Sequence, residues 1–239
     1  MPITSAFWLD CGHESGRSGS NYGDQLTAFL LESLFGVQAV KTPLPNSALV
    51  CVGSILEAVP QDYTGSIIGT GFMDERSRGS FPKAQILALR GALTAERCDA
   101  CVPLGDPGLL VRDLAHRSGD IGPVVIPHYI DQDLREQYPD YVYVDILDDP
   151  RLFIDQVVNA SLVVTSSLHA LITADAFGIP RVLVPHHRVG GGLFKFADYS
   201  TSIGAEITPR ETYLADPNSV ERCILRLREC FEEFACGLV

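Results

Sequence analysis

Five short segments bring together residue types that can do proton transfer or hold an anion. The first is Thr165-Ser166-Ser167-Leu168-His169-Ala170. An apolar run ends there, two serines follow, and an Ala/Leu-rich helical pattern begins. A serine at the cap puts His169 in the first helical turn, where free backbone N–H groups favour an anion. A neutral imidazole there serves as a base and a charged one as a proton donor. A histidine bonded to a backbone carbonyl accounts for the same position equally well.

The second segment, Ile126-Pro127-His128-Tyr129, closes an apolar run, and His128 either faces a cleft or anchors the loop after Pro127. The third, Leu87-Ala88-Leu89-Arg90-Gly91, puts Arg90 between a strand and a helix. A guanidinium there suits bidentate capture of carboxylate or phosphate, or else a structural ion pair. In the fourth, Phe194-Lys195-Phe196-Ala197-Asp198-Tyr199, lysine is scarce enough to notice, since the chain has only Lys41, Lys83 and Lys195. Read without other information, Lys195 is a surface loop residue; the other reading is a phosphate clamp that acts as the Gly190-Gly191-Gly192 loop closes. The fifth, Asn21-Tyr22-Gly23-Asp24, leads into a helix and lacks the spacing of a dinucleotide-binding loop. Asp24 is read there as a helix cap or as a group orienting an acceptor hydroxyl. Cys98 and Cys101 have no second ligand pair for zinc. His186-His187 reads as a solvated strand end.

These segments need a scaffold that gathers them. Strand-like runs at Ala6–Leu9, Ala48–Val52, Ser66–Gly69, Gln85–Leu89 and Cys101–Leu104 precede a break at Gly122-Pro123. A second series follows at Val124–Ile126, Tyr141–Val144, Leu162–Thr165 and Arg181–Val184. Helical patterns lie over 24–35, 131–137, 150–159 and 168–177. A last helix runs over 217–235, capped by Asp216 with Pro217 at its first position. Gly12–Gly23 reads as a loop. Alternating strands and helices indicate an α/β fold with mainly parallel sheets. The break divides it into two Rossmann-like halves, 1–120 and 121–239, with the last helix packing back on the first half. Ligands in such sheets bind beyond the carboxyl ends of the strands, where the five segments fall.

The 239 residues are 46% hydrophobic and 20% charged, an ordinary globular composition. The formal charge of -12 excludes a nucleic-acid-backbone binder, which needs a basic stripe. No apolar run is long enough to span a bilayer and the start lacks a signal-peptide pattern, so the expected location is cytoplasmic. Seven cysteines are an odd count, expected to be thiols in a reducing compartment. Val220, Ile224, Leu227 and Phe231 share one face of the last helix, expected to pack on protein rather than lipid.

In their order, these motifs resemble the polysaccharide pyruvyl transferase family, in particular the short ketal pyruvyl transferases of xanthan- and succinoglycan-type exopolysaccharide synthesis. The likeness runs from about residue 7 to 204. It rests on Asn21-Tyr22-Gly23-Asp24, Gly53-Ser54-Ile55-Leu56, Gly69-Thr70-Gly71, Arg90-Gly91 and Gly105-Asp106-Pro107-Gly108-Leu109-Leu110. It continues in Ile126-Pro127-His128, Ser166-Ser167-Leu168-His169-Ala170-Leu171, Phe177-Gly178-Ile179-Pro180 and Lys195-Phe196-Ala197-Asp198-Tyr199.

The resemblance implies a compact two-domain glycosyltransferase-B-like architecture, with an N-terminal acceptor side and a C-terminal donor side. It implies phosphoenolpyruvate as donor, a lipid-linked oligosaccharide as acceptor, a cyclic pyruvate ketal as product, and neither metal nor cofactor. A lipid-linked acceptor adds peripheral contact with the inner face of the membrane. Carried over by motif, His169 is the catalytic histidine that transfers the proton, and Arg90 and Lys195 are the basic donor-binding positions. From their places in the cleft rather than from the motif, Asp24 is a candidate for acceptor activation, Ser166 and Ser167 join the donor side, and Asn21 and His128 position the acceptor. The family often has Arg before the Leu-His pair where this chain has Ser167, so an anionic contact is expected from elsewhere, with Arg188 the candidate. A small positive cleft on a negative surface is the electrostatic expectation. The alternatives are a nucleotide-sugar-dependent glycosyltransferase on the same architecture and a non-catalytic carbohydrate-binding relative.

Overall fold

The computed structural model describes residues 1–9 and 20–238. The expected Gly12–Gly23 loop lies outside the described residues up to position 19. Two five-stranded sheets form the framework. The first contains β1 (Ile3–Phe7), β2 (Gln38–Lys41), β3 (Leu49–Val50), β4 (Ser66–Ile68) and β5 (Gln85–Ala88), in the order β2-β1-β3-β4-β5. All its pairs are parallel. The second contains β6 (Pro123–Ile126), β7 (Val142–Tyr143), β8 (Leu162–Thr165), β9 (Arg181–Leu183) and β10 (Thr212–Tyr213), in the order β10-β9-β8-β6-β7. Only β10 runs antiparallel. The chain is thus an α/β protein of two Rossmann-like halves.

Parallel pairing demands crossovers, and helices supply most of them. They are α1 (Tyr22–Phe35), α2 (Ala92–Arg97), α3 (Pro150–Val158), α4 (Leu168–Ala176), α5 (Phe194–Ser202) and α6 (Pro217–Cys236). Asp149 and Asp216 cap α3 and α6 by accepting backbone N–H bonds, each followed by proline in the first turn.

Three local expectations are corrected. Asp24 is not the cap of α1; Asn21 holds that position and Asp24 lies in the first turn, where a carboxylate meets the positive end of the helix dipole. Cys101–Leu104 makes no strand, because only Leu104 bridges Leu89. Lys195 is not on a surface loop but on α5, only 5% exposed.

The two halves share one continuous core. It runs from Leu26 and Leu30 of α1 through Phe153 of α3 and Leu171 of α4 to Leu227 and Phe231 of α6. Tyr22 stacks on Phe153 with centroids 4.0 Å apart, and its hydroxyl meets Thr173 Oγ1 at 3.1 Å. Helix α6 lies against β4 and β5, and Cys230 Sγ bonds to Leu87 O. Its apolar face, Val220, Ile224, Leu227 and Phe231, is buried in protein. No described helix is long and apolar enough to cross a membrane. The interface between the halves is therefore mostly filled, and what stays open is a small cavity where the carboxyl ends of the strands meet.

Candidate active site

That cavity holds about 100 Å³. From the first half it is lined by Asn21 and Asp24 at the start of α1 and by Gly53 and Ser54 beyond β3. From the second half come His128 beyond β6, Ser167 and His169 at the start of α4, and Lys195 of α5. Larger open space exists elsewhere, about 530 Å³ beside Ser5, Ser47 and Gln85, but Glu233 is its only ionisable lining residue. The smaller cavity collects two histidines, a lysine and a carboxylate, so chemistry rather than size locates the site.

Ser167 holds the N-cap position of α4 without a side-chain capping bond, which puts His169 in the first helical turn. The chain follows this path because β8 is apolar over 162–164 and Thr165 Oγ1, at its end, accepts the Ser167 N–H, turning the backbone into the helix. The His169 side chain is 12% exposed. Gly23 makes room for it, since a Cβ there would lie 2.0 Å from Nδ1. Burial, aided by Lys195, Arg90 and His128, pushes the imidazole down to about 3, so it rests neutral. His128 is likewise driven down to about 3 by burial and Lys195. Its Nδ1 accepts the Ile130 N–H and its ring packs on Tyr129.

Lys195 is the cation of the cavity. Among the described residues no carboxylate lies within 4 Å of its ammonium, and its ring neighbour is Phe196, 5.5 Å from Nζ. Burial and then Arg90 lower it to about 8, so it remains mostly protonated at neutral pH. An unpaired buried ammonium is costly and calls for an anion.

Arg90 does not line the cavity. Its guanidinium is wholly buried and donates from Nε to Asp198 Oδ2 at 2.9 Å and from Nη2 to Phe72 O at 2.5 Å. From Nη1 it donates to Ser54 Oγ at 2.5 Å. Gly71 lets it lie this close, since a Cβ there would meet Cζ at 2.5 Å. The direct donor contact expected of Arg90 is therefore corrected to a place one layer behind the wall. Ser54, which accepts from Arg90 and lines the cavity, keeps its own O–H to donate.

The remaining expectations divide. Asn21 and Asp24 line the cavity, and Asn21 Oδ1 is buried with no partner. Ser166 turns away, accepting the His128 N–H at 2.9 Å and facing a neighbouring pocket with His186 and His187. Arg188 is held by Asp133 at 3.0 Å, half-exposed and outside the cavity, so it supplies no anionic contact there. Among the described residues no three His, Cys, Asp or Glu side chains form a metal-holding group. Two residues escaped sequence reasoning. Ser54 and Asp106 each stood only inside a quoted motif, with no role read for either.

A family model described as polysaccharide pyruvyl transferase matches residues 21–188. The chain is 28% identical over 210 residues to the succinoglycan biosynthesis protein ExoV of Rhizobium meliloti (strain 1021), covering 80% of this chain and 64% of that protein. It is 29% identical over 210 residues to the uncharacterized protein L143 of Acanthamoeba polyphaga mimivirus, covering 78% of this chain and 72% of that one. The matching segment thus spans less than two thirds of the succinoglycan protein's length. The family match contains Asn21, Asp24, Arg90, His128 and His169, while Lys195 lies beyond it.

Proposed function

The chain belongs to the polysaccharide pyruvyl transferase family, and from that premise we propose that it moves the pyruvyl group of phosphoenolpyruvate onto two hydroxyls of an exopolysaccharide sugar, releasing phosphate. The observation that carries this reading is the buried Lys195 ammonium, free of any carboxylate within 4 Å among the described residues, beside His169 at a helix N-terminus. A small anion with two charged groups complements that arrangement. The sugar then lies on the side of the cavity lined by Asn21 and Asp24.

In this proposal Lys195 and Ser54 hold the donor, and Arg90 adds positive field through Ser54. His169 rests neutral, so it begins as a base. It takes the proton of the first sugar hydroxyl as that oxygen attacks the donor's central carbon, and delivers a proton to the methylene carbon, which becomes methyl. The second hydroxyl closes the ketal as the carbon–phosphate oxygen bond breaks, and its proton leaves with phosphate. Fixed cations around the departing phosphate stabilise its charge. A lipid-linked acceptor brought to the inner face of the membrane remains part of the same proposal.

The test is phosphate release from phosphoenolpyruvate with mannosyl, glucosyl and galactosyl acceptors, with the ketal read as a mass gain on the sugar. Release with at least one acceptor is expected, and His169→Ala is expected to lower it by about 10²–10⁴-fold while melting as the wild type does. Near-normal turnover in that variant refutes the role of His169.

A further inference from the structure

Behind the cavity wall, on the side of His169 that carries Nε2, two buried polar atoms face each other without hydrogen-bond partners among the described residues. His169 Nε2 and Asp106 Oδ2 are 3.8 Å apart, and each is buried with no hydrogen bond. Buried polar atoms in folded proteins are nearly all bonded, so two adjacent exceptions beside a cavity need a reason. They also come from different halves. His169 stands on α4, while Asp106 follows the Leu104–Leu89 bridge at the edge of the first sheet. Asp106 already has a structural task, because its Oδ1 accepts the Gly108 N–H at 2.9 Å and caps the turn that begins at Pro107. Oδ2 is left over.

The ring's two nitrogens have different surroundings. Nε2 contributes nothing to the 12% exposure of the side chain, so the exposed edge lies elsewhere on the ring. Nδ1 sits against Gly23, between Asn21 and Asp24, which both line the cavity. We propose that Asp106 is a positioning residue for His169: its Oδ2 accepts from Nε2–H, fixes the ring's tautomer, and leaves the Nδ1 lone pair toward the cavity. This rests on the pyruvyl-transfer reading for its use in catalysis, though not for its geometry.

The surrounding charges suit this arrangement. Lys195, Arg90 and His128 press on His169 and keep it neutral at rest. Burial raises Asp106 to about 6 against the pull of the Gly108 N–H and Arg90, and Asp198 pushes the same way as burial, so above that pH the carboxylate form prevails. Tyr22 and Cys51, also beside Asp106, are pushed up by burial and stay neutral. When Nδ1 takes the sugar hydroxyl's proton, the O–H bond breaks, its electron pair stays on the attacking oxygen, and the imidazolium forms facing an anionic Asp106. Nδ1 then gives its proton to the methylene carbon and the pair returns to its starting state. At 3.8 Å the contact is longer than a hydrogen bond, but an anionic carboxylate that close in a buried site already favours the tautomer with its hydrogen on Nε2, and catalytic contacts of this kind often shorten in the ligand complex.

The experiment is nitrogen NMR of ¹⁵N-histidine-labelled protein above pH 7, with the His169 signal identified by its loss in His169→Gln. The wild type is expected to show the Nε2–H tautomer. Asp106→Asn keeps an oxygen for Gly108 but presents an amide N–H to Nε2; it is expected to show the Nδ1–H tautomer. Its phosphate release is expected to fall by about 10²–10⁴-fold. A wild-type Nδ1–H tautomer overturns the proposal by itself, whether or not the variant folds. Asp106→Asn with unchanged tautomer and rate overturns it too. A wild-type Nε2–H tautomer in a protein that releases no phosphate from phosphoenolpyruvate supports the pairing and removes the pyruvyl-transfer reading instead.

Discussion

Asp198 and Lys195 stand three residues apart on α5, both buried, in opposite circumstances. Asp198 is saturated: it accepts from Arg90 Nε, from Thr94 N at 2.8 Å and from Thr94 Oγ1 at 2.7 Å. One residue on, Tyr199 donates to Asp175 Oδ2, whose carboxylate is also gripped by Arg181 at 2.9 and 3.0 Å. Asp198 thus ties α5 to the first half, and Tyr199 ties it to the second. Among the described residues Lys195 has no carboxylate within 4 Å, and Asn21 Oδ1 in the cavity wall, with His169 Nε2 and Asp106 Oδ2 behind it, has no hydrogen-bond partner. The ion pairs that anchor α5 have their bonds made, whereas Lys195 and Asn21 Oδ1, which line the cavity, keep capacity for a ligand. The saturated pairs fix the position of the unsaturated lysine one helical turn away.

Breaking the saturated side gives the largest effect. Arg90→Ala leaves Asp198 charged, buried and short of its cation, and is expected to destabilise the protein by about 3–5 kcal/mol, read by urea unfolding. A variant that loses phosphate release with unchanged stability would instead make Arg90 a ligand contact. The unsaturated side is expected to respond with the opposite sign. Lys195→Met removes a buried unpaired charge and is expected to stabilise the protein by about 2–3 kcal/mol at pH 7, while ending donor binding. Folding lowers the lysine to about 8, so the unfolded chain binds more protons between there and the ordinary lysine value of 10.5. Wild-type stability therefore rises through that window, and the gap between wild type and variant closes. A gap independent of pH would detach the effect from the charge. Arg188→Ala, outside the cavity and paired on the surface with Asp133, gives the smallest effect, within about 0.5 kcal/mol and with unchanged phosphate release.

The same contrast explains what was legible in the sequence. Strands buried on both faces wrote themselves as apolar runs, and Leu162–Thr165 was readable to the residue. Edge strands β2 and β10 were missed because they are short and largely exposed, so no run marks them. Helix α5 was missed for a different reason. It buries Lys195, Asp198, Tyr199 and Ser200, so its inward face is polar and its hydrophobic period is blurred. Gly190-Gly191-Gly192 just before it strengthened the impression of a loop. In the site, His169 was readable from a strand end followed by a helix start. The burial of Arg90 was not, because its partners Ser54, Phe72 and Asp198 are remote in sequence. Asp106 stood only inside a motif, and its approach to His169 depends on how the halves meet, which no local pattern encodes.

The central claim is that the buried lysine is held in place to receive a small dianionic donor. Calorimetric titration of wild type and Lys195→Met with phosphoenolpyruvate at pH 7 tests it most directly. The account predicts saturable binding to the wild type and none to the folded variant; equal binding by both proteins would contradict it.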